Sequence, residues 1–187
     1  VAALNEIDPA LPPGRLVISV AAGITTAVLE KHLPAETAVV RAMPNTPALV
    51  SQGMTAIAAG THTLEEHLDR AETLLRSVGE VVRVPEKHLD AVTALSGSGP
   101  AYFYLVAEAM IEAGVLLGLP RPTAERLVTQ TAVGSAAMLR DSGDHPTLLR
   151  EAVTSPGGTT AAALRELERH GLRSAFAVPL LAGDTPL

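Results

Sequence analysis

The amino-acid sequence predicts an α/β domain followed by an all-α domain. Up to Val84, short apolar runs typical of buried strands alternate with helical segments. After Asp90 no convincing strand occurs, and apolar residues recur at a spacing near 3.6 residues. Because the pattern changes just after Pro85, we predict a first domain over residues 1–86 and a second over 87–187.

The first domain is predicted to hold four strands and two helices. Leu16–Val20 is a continuous apolar run between Gly14 and Gly23, which is typical of a buried parallel strand. Val1–Leu4 is expected to be the end of an earlier helix. The other predicted elements are strands at 38–43, 55–59 and 80–84 and helices at 24–33 and 64–78. This alternation predicts an open, mostly parallel sheet.

The second domain is predicted to be purely helical. Helices are expected at 101–117, 122–140, 145–153 and 160–170, separated by glycine and proline breaks. Helix formation is not expected in the last ten residues, VPLLAGDTPL, because Gly183 and Pro186 do not suit a helix.

Composition excludes several classes of protein. The 187 residues include no cysteine, so neither a disulfide framework nor a thiolate site is available. The net charge is −6 with acids and bases interspersed, which argues against a nucleic-acid partner. Apolar runs stay well short of the roughly 20 residues that span a bilayer. No signal peptide is recognisable, so a soluble, cytoplasmic protein without a membrane partner is expected. The six histidines are scattered, and no metal site is predicted.

The segment SPGGTT, residues 155–160, is the first candidate site. Pro156 cannot continue a helix, and Gly157 and Gly158 can adopt backbone angles closed to other residues. The next helix should therefore begin near Thr159, where backbone N–H groups lack intrahelical partners and can bind a carboxylate or phosphate. A glycine-rich turn with an ordinary Ser/Thr cap explains the same residues.

Two more segments follow predicted strands. VAAG at 20–23 and MPNTP at 43–47 each stand at the carboxyl end of a strand, where open α/β sheets bind ligands. Plain turns are the alternative for both. A third segment, SGSGPAY at 96–102, opens the first long helix, and its small residues suit close helix packing equally well.

Together, ISVAAGIT at 18–25, AMPNTP at 42–47, SGSGPAY and SPGGTT resemble the pyrroline-5-carboxylate reductase family. The four motifs occur in the order and spacing of that family, and the resemblance extends over residues 17–173. It implies an NAD(P)H-dependent oxidoreductase that reduces the cyclic imine 1-pyrroline-5-carboxylate to L-proline, the last step of proline biosynthesis. It also implies a partial Rossmann-type dinucleotide-binding domain followed by a helical domain for dimerisation and substrate binding.

The resemblance also implies a role for each candidate residue. Thr160 would hydrogen-bond or protonate the ring nitrogen as hydride reaches the imine carbon, and Ser155 would orient the substrate. The remaining substrate contacts would be Gly157, Gly158, Thr159 and Ser98, the last as a supporting wall. The cofactor, NADPH or NADH, would contact Val20, Ala21, Ala22, Met43, Pro44 and Asn45. The protein would form a homodimer or a larger ring of dimers.

Two features depart from the family pattern. No GxGxxG turn is present, and the four strands fit the later part of a Rossmann-type sheet, so about 80 or more preceding residues are expected to be missing. The C-terminus is atypical as well. A non-catalytic oligomerisation fragment, with little cofactor affinity of its own, is therefore the alternative. Another imine reductase or a 3-hydroxy-acid reductase is a third reading, against which SPGGTT argues.

Overall fold

A four-stranded sheet forms the first of two compact units in the computed structural model, which describes residues 14–181 and side chains through residue 177. The strands are β1 (Leu16–Ser19), β2 (Ala38–Met43), β3 (Gly53–Ala59) and β4 (Gly79–Arg83), in the spatial order β1-β2-β3-β4. All four lie where the sequence predicts them. Predictions for Val1–Leu4, Gly183 and Pro186 fall outside the described residues.

The sheet is mostly parallel, as predicted, but its central pair is not. β1 pairs in parallel with β2, and β3 with β4, whereas β2 and β3 run antiparallel, with Ala42 opposite Ile57. The reason is the length of the connection. A short 3₁₀ helix (Thr46–Val50) and a turn join β2 to β3, whereas a parallel crossover needs a dozen or more residues.

Both faces of β2 are covered. Helix α1 (Thr26–Glu30) packs Leu29 on Val39, and helix α2 (Glu65–Leu75) contributes Ala71 to a cluster with Val40. This position explains why β2 is apolar at every residue except Arg41 and does not alternate between apolar and polar residues. A third cluster joins β3 to the short helix α3 (Leu89–Val92) through Leu89.

Helix α1 is shorter than the predicted 24–33. Gly23 has a φ of +72°, and Thr25 caps the helix by accepting a hydrogen bond from the Val28 N–H at 3.3 Å. Helix α2 passes into a 3₁₀ turn, Arg76–Val78, which completes the predicted segment 64–78. The sequence analysis missed α3, the 3₁₀ helices Thr46–Val50 and Glu86–His88, and a π-helical turn at Thr93–Gly97, because such short elements carry no readable periodicity.

All regular elements described in the second unit, Ala101–Leu181, are helices. It contains most of α4 (Gly99–Leu116), α5 (Arg121–Asp141), α6 (Pro146–Ala152), α7 (Thr159–Arg169) and α8 (Leu172–Leu181). The first four match the predicted helices. Helix α8 was not expected; its backbone starts directly after Gly171, whose carbonyl accepts from the Ala175 N–H at 2.9 Å. The domain boundary at residue 86 stays a prediction, since the first unit includes residues through Pro100.

Large apolar side chains are exposed along the helices of the second unit. Phe103 is 73 % exposed and Leu116 is 88 % exposed, and Ala124 is the one fully buried residue among those described in this unit. An isolated helical unit would normally bury such side chains. Along the described part of the chain, none of the helices has the length and apolar character needed to cross a membrane.

Candidate active site

The two predicted cofactor segments leave the sheet at the same edge. β1 and β2 are parallel, with Ser19 opposite Arg41, so the residues that follow them emerge side by side. Val20, Ala21 and Ala22 are exposed, and the Ala21 N–H donates to Ser19 Oγ at 3.3 Å. Small side chains in an open turn leave the backbone accessible to a flat ring or a ribose.

The Asn45 side chain is engaged within the protein. Its Nδ2 donates to the Ser96 carbonyl at 3.1 Å and, at 3.4 Å, to Ser96 Oγ, while its Oδ1 accepts from the Met54 N–H at 2.8 Å. Asn45 thus ties the loop after β2 to the start of β3 and to the π-helical turn. This side chain therefore holds the loop in place, while the neighbouring Met43 packs against the cluster that contains Leu89.

The AMPNTP and SGSGPAY motifs meet at this point, which the sequence analysis did not foresee. Besides the Asn45–Ser96 bonds, a Cβ on Gly97 would lie 2.9 Å from the Met43 methyl group, so the glycine makes room for that side chain. Ser98 is exposed, and its N–H donates to the Thr93 carbonyl at 2.8 Å, which closes the π-helical turn. Such turns occur frequently at functional sites.

The SPGGTT segment forms a tight turn at the start of α7, as predicted. Gly157 has a φ of +68°, which favours glycine, and the Gly158 N–H donates to the Ser155 carbonyl at 3.1 Å. Gly158 is the N-cap, and no side-chain hydrogen bond caps the helix, so the Ser/Thr cap considered from the sequence does not form. The Gly158 N–H is used inside the turn, which leaves those of Thr159 and Thr160 as the expected anion donors.

A partly buried ionic group in the first unit was not predicted from the sequence. Glu86 Oε1 accepts from the Thr26 N–H at 2.7 Å and from Arg41 Nη1 at 3.3 Å, and its Oε2 accepts from Thr26 Oγ1 at 2.7 Å. The Arg41 side chain is only 7 % exposed. Burial tends to raise the pKa of Glu86, but the bonds from Thr26 and Arg41 outweigh it and lower that pKa. The signal in the sequence was an arginine inside the apolar strand VVRAM, because a buried charge needs a partner.

A second ionic group connects α2 with β4. Glu72 accepts from Arg76 Nη2 at 2.7 Å and from Arg83 Nε at 2.6 Å. The hydrogen bond from Arg76, followed by that from Arg83, lowers the pKa of Glu72. Arg83 also pairs with Glu65 and Asp69. Within residues 14–181 no cluster of three or more His, Cys, Asp or Glu side chains is arranged to hold a metal ion.

The fold defines the class of protein: an open, mostly parallel α/β sheet unit, followed in the chain by a helical unit. A semialdehyde dehydrogenase NAD-binding protein from Cupriavidus necator shares this fold at a TM-score of 0.54 and 17 % identity. The family model for pyrroline-5-carboxylate reductase dimerisation matches residues 86–182. The chain belongs to the pyrroline-5-carboxylate reductase family, as the four sequence motifs indicated.

Individual relatives support this assignment. Pyrroline-5-carboxylate reductase of Corynebacterium melassecola is 51 % identical over 161 residues, and that of Mycobacterium tuberculosis H37Rv is 52 % identical over 178. Each match covers 86 % of this chain, which spans about 60 % of these relatives' length.

Solved structures agree with the fold. A pyrroline-5-carboxylate reductase from Coxiella burnetii superposes with a TM-score of 0.91 at 41 % identity, over 97 % of this chain and 68 % of that one. The Plasmodium falciparum pyrroline carboxylate reductase, solved with NADP bound, gives a TM-score of 0.88 at 35 % identity, over 97 % of this chain and 73 % of that one. The predicted class, an α/β unit followed by a helical one, is thereby confirmed.

Proposed function

We propose that this chain carries the substrate site and the nicotinamide side of the cofactor site of a pyrroline-5-carboxylate reductase. The reaction would be the reduction of 1-pyrroline-5-carboxylate to L-proline. The observation that carries the proposal is the uncapped start of α7 behind Gly157 and Gly158, in a chain about half identical to reductases of this name. An uncapped helix start suits the substrate's carboxylate.

The resemblance to the family implies the substrate roles, and this geometry is compatible with them. The N–H groups of Thr159 and Thr160 would bind the carboxylate, and Gly157 would shape the turn around it. The Thr160 hydroxyl would donate to the ring nitrogen, which gains electron density as the C=N bond is reduced. Ser155, exposed beside this turn, would orient the ring. A protonated imine is already electrophilic, so this site needs no histidine or metal.

The cofactor would lie along the sheet edge. NADPH or NADH, when bound, supplies the hydride. The open turn Val20–Ala22 fits a flat nicotinamide ring and its ribose, with Met43 and Pro44 as the adjoining wall. Asn45 would contribute by holding that wall, because its amide is bonded to Met54 and Ser96. Ser98 would stand near the substrate as a supporting residue.

The proposal includes a homodimer of this chain and, built from it, a larger ring of dimers. The exposed apolar side chains of α4 and α5, such as Phe103 and Val133, would be covered by a second copy. The proposal also includes a cytoplasmic location and no nucleic-acid or membrane partner. Light scattering coupled to size exclusion would give the number of subunits, and a monomer at micromolar concentration would contradict this part.

The test of the activity is NADPH oxidation with pyrroline-5-carboxylate, together with measurement of the proline formed. It should be run on the 187-residue chain and on the same chain preceded by the nucleotide-binding part of a close relative. Turnover by either form supports the proposal. Turnover of a 3-hydroxy acid but not of the imine would overturn it in favour of a different reductase.

A second candidate is a non-catalytic oligomerisation fragment. It is favoured by the absence of GxGxxG in a chain that spans about 60 % of its relatives' length. A folded dimer that is inactive alone but active once that turn is supplied would support this reading for the chain by itself. The same result would retain the reductase assignment of its site residues.

A further inference from the structure

Glu86 joins three elements that are far apart in the sequence. It follows β4, yet its carboxylate bonds the first residue of α1, Thr26, and the arginine in the middle of β2, Arg41. Both carboxylate oxygens are used, and their partners lie 60 and 45 residues away along the chain. Such a group fixes the relative position of the elements that it bridges.

The carboxylate of Glu86 anchors the start of helix α1, whereas Leu29 packs on the sheet and Glu30 bonds Thr61 further along the helix. Five residues are too few for a helix to be stable by itself, and its first N–H groups have no intrahelical acceptor. Glu86 supplies an acceptor for the Thr26 N–H and a negative charge at the positive end of the helix. Arg41, almost fully buried, holds the carboxylate from the sheet side.

The exposed turn Val20–Gly23 is held between β1 and α1. Its start is fixed by the pairing of β1 with β2, and it rejoins the packed structure at Ile24, which packs against the cluster of Leu29 and Val39, and at Thr26, which is 6 % exposed. The end of the turn is therefore held by the packing of Ile24 and by the hydrogen bonds that anchor Thr26. Thr25 caps α1 from within, but the bonds to Glu86 are those that attach the helix start to the rest of the sheet unit.

We propose that Glu86, held by Arg41, is a positioning residue that fixes the turn Val20–Gly23 for the nicotinamide half of the cofactor. This inference rests on the proposed function, which assigns that turn to the cofactor. Glu86 itself need not touch the cofactor. It limits the motion of this turn, whose accessible backbone groups are the ones that a ligand would contact.

The test compares Glu86→Gln with Glu72→Gln. Both changes remove one carboxylate charge that is paired with arginine in the same unit, but Glu72 bonds Arg76 and Arg83 and does not contact α1. Hydrogen exchange of the peptide covering residues 20–30 should rise about tenfold in Glu86→Gln and stay unchanged in Glu72→Gln. Thr26→Val, which removes only the bond at Oγ1, should give a smaller increase and serves if Glu86→Gln does not fold.

A binding measurement completes the test. Reduced nicotinamide mononucleotide lacks the adenylate half of the cofactor, so it probes the turn without a pyrophosphate site. We expect its Kd, measured by saturation-transfer NMR on the 187-residue chain, to rise about tenfold in Glu86→Gln and not in Glu72→Gln. Equal exchange or equal affinity in the two variants would overturn the inference. Failure of the unaltered chain to bind the mononucleotide would instead count against the proposed placement of the cofactor, and exchange would still decide whether Glu86 holds the turn.

Discussion

Substitution of Asn45 can show whether this residue contacts a ligand or holds the protein structure in place. The resemblance assigns it to the cofactor, whereas the structure shows its amide bonded on both sides to the protein. Replacing Asn45 by alanine would leave the Met54 N–H and the Ser96 carbonyl without this partner in a half-buried environment. Each unsatisfied group costs about 1–3 kcal/mol, so we expect the free energy of unfolding to fall by about 2–6 kcal/mol.

The assay is urea denaturation followed by far-ultraviolet circular dichroism. The substitution should affect the unfolding of the first unit, which contains Asn45. Ser96→Ala is the matched control, because it removes only the 3.4 Å contact to Oγ and should cost about 0.5 kcal/mol or less. Asn45→Asp adds a further comparison. It keeps an acceptor for the Met54 N–H but replaces the donor that faces the Ser96 carbonyl, so its cost should fall between those two.

A loss of stability in Asn45→Ala no larger than that in Ser96→Ala would refute the reasoning. In that case the hydrogen bonds would contribute little, and Asn45 would be free to serve as a cofactor contact. A large loss together with an unchanged affinity for reduced nicotinamide mononucleotide, measured where the variant is still folded, would instead limit Asn45 to a structural role.

Three further changes should give distinct results. In an active form of the protein, Thr160→Ala should lower kcat at least about tenfold without changing the number of subunits. Thr160→Ser, which keeps a hydroxyl, should retain much of the kcat of the unaltered protein. An unchanged kcat in Thr160→Ala would remove Thr160 from the mechanism. Gly157→Ala should lower the free energy of unfolding, measured by thermal unfolding, by about 1–2 kcal/mol. The cause is backbone strain at a φ of +68°, since the space around the residue is open and no clash is added. An unchanged free energy of unfolding would show that the turn rearranges freely. The lowered pKa of Glu86 means that its contribution to stability is complete above about pH 4.5 and is lost as the pH falls through the folded-state pKa. The stability gap between the unaltered chain and Glu86→Gln should therefore shrink in acid, and a gap independent of pH would contradict the assignment.

The sequence was sufficient to locate the regular elements because their patterns are local. The apolar run of β2 and the stripe of α2 are readable by eye, and both lie where they were predicted. The antiparallel pairing of β2 with β3 was also implicit in the short connection between Met43 and Gly53, although strand alternation alone suggested a parallel sheet. Helix α8 was missed because Gly171 ends the preceding predicted helix, and Gly183 and Pro186 argued against a helix in the last ten residues.

Long-range hydrogen bonds could not be predicted in this way. Nothing near Asn45 in the sequence points to Ser96, which lies 51 residues later, and nothing near Thr26 points to Glu86. Arg41 did indicate that some buried partner was needed, but an isolated charge does not identify which of 20 acidic residues provides it. Pairing of this kind is decided by the fold as a whole.

The hydrogen bonds of Asn45 and Glu86 suggest that the proposed site contains two kinds of residue: those that contact ligands and those that hold the contacting segments in place. The segments assigned to ligands are rich in alanine, glycine and threonine and offer mainly backbone groups, whose usefulness depends on where they are held. The side chains with directional chemistry, Asn45 and Glu86, are bonded to the protein at the ends of those segments. Because the proposed reaction, reduction of a protonated imine, requires little acid–base chemistry, position is the main contribution left for the protein to make. Substitution of either support should therefore weaken cofactor binding through motion of a loop, even though every ligand-facing residue is unchanged.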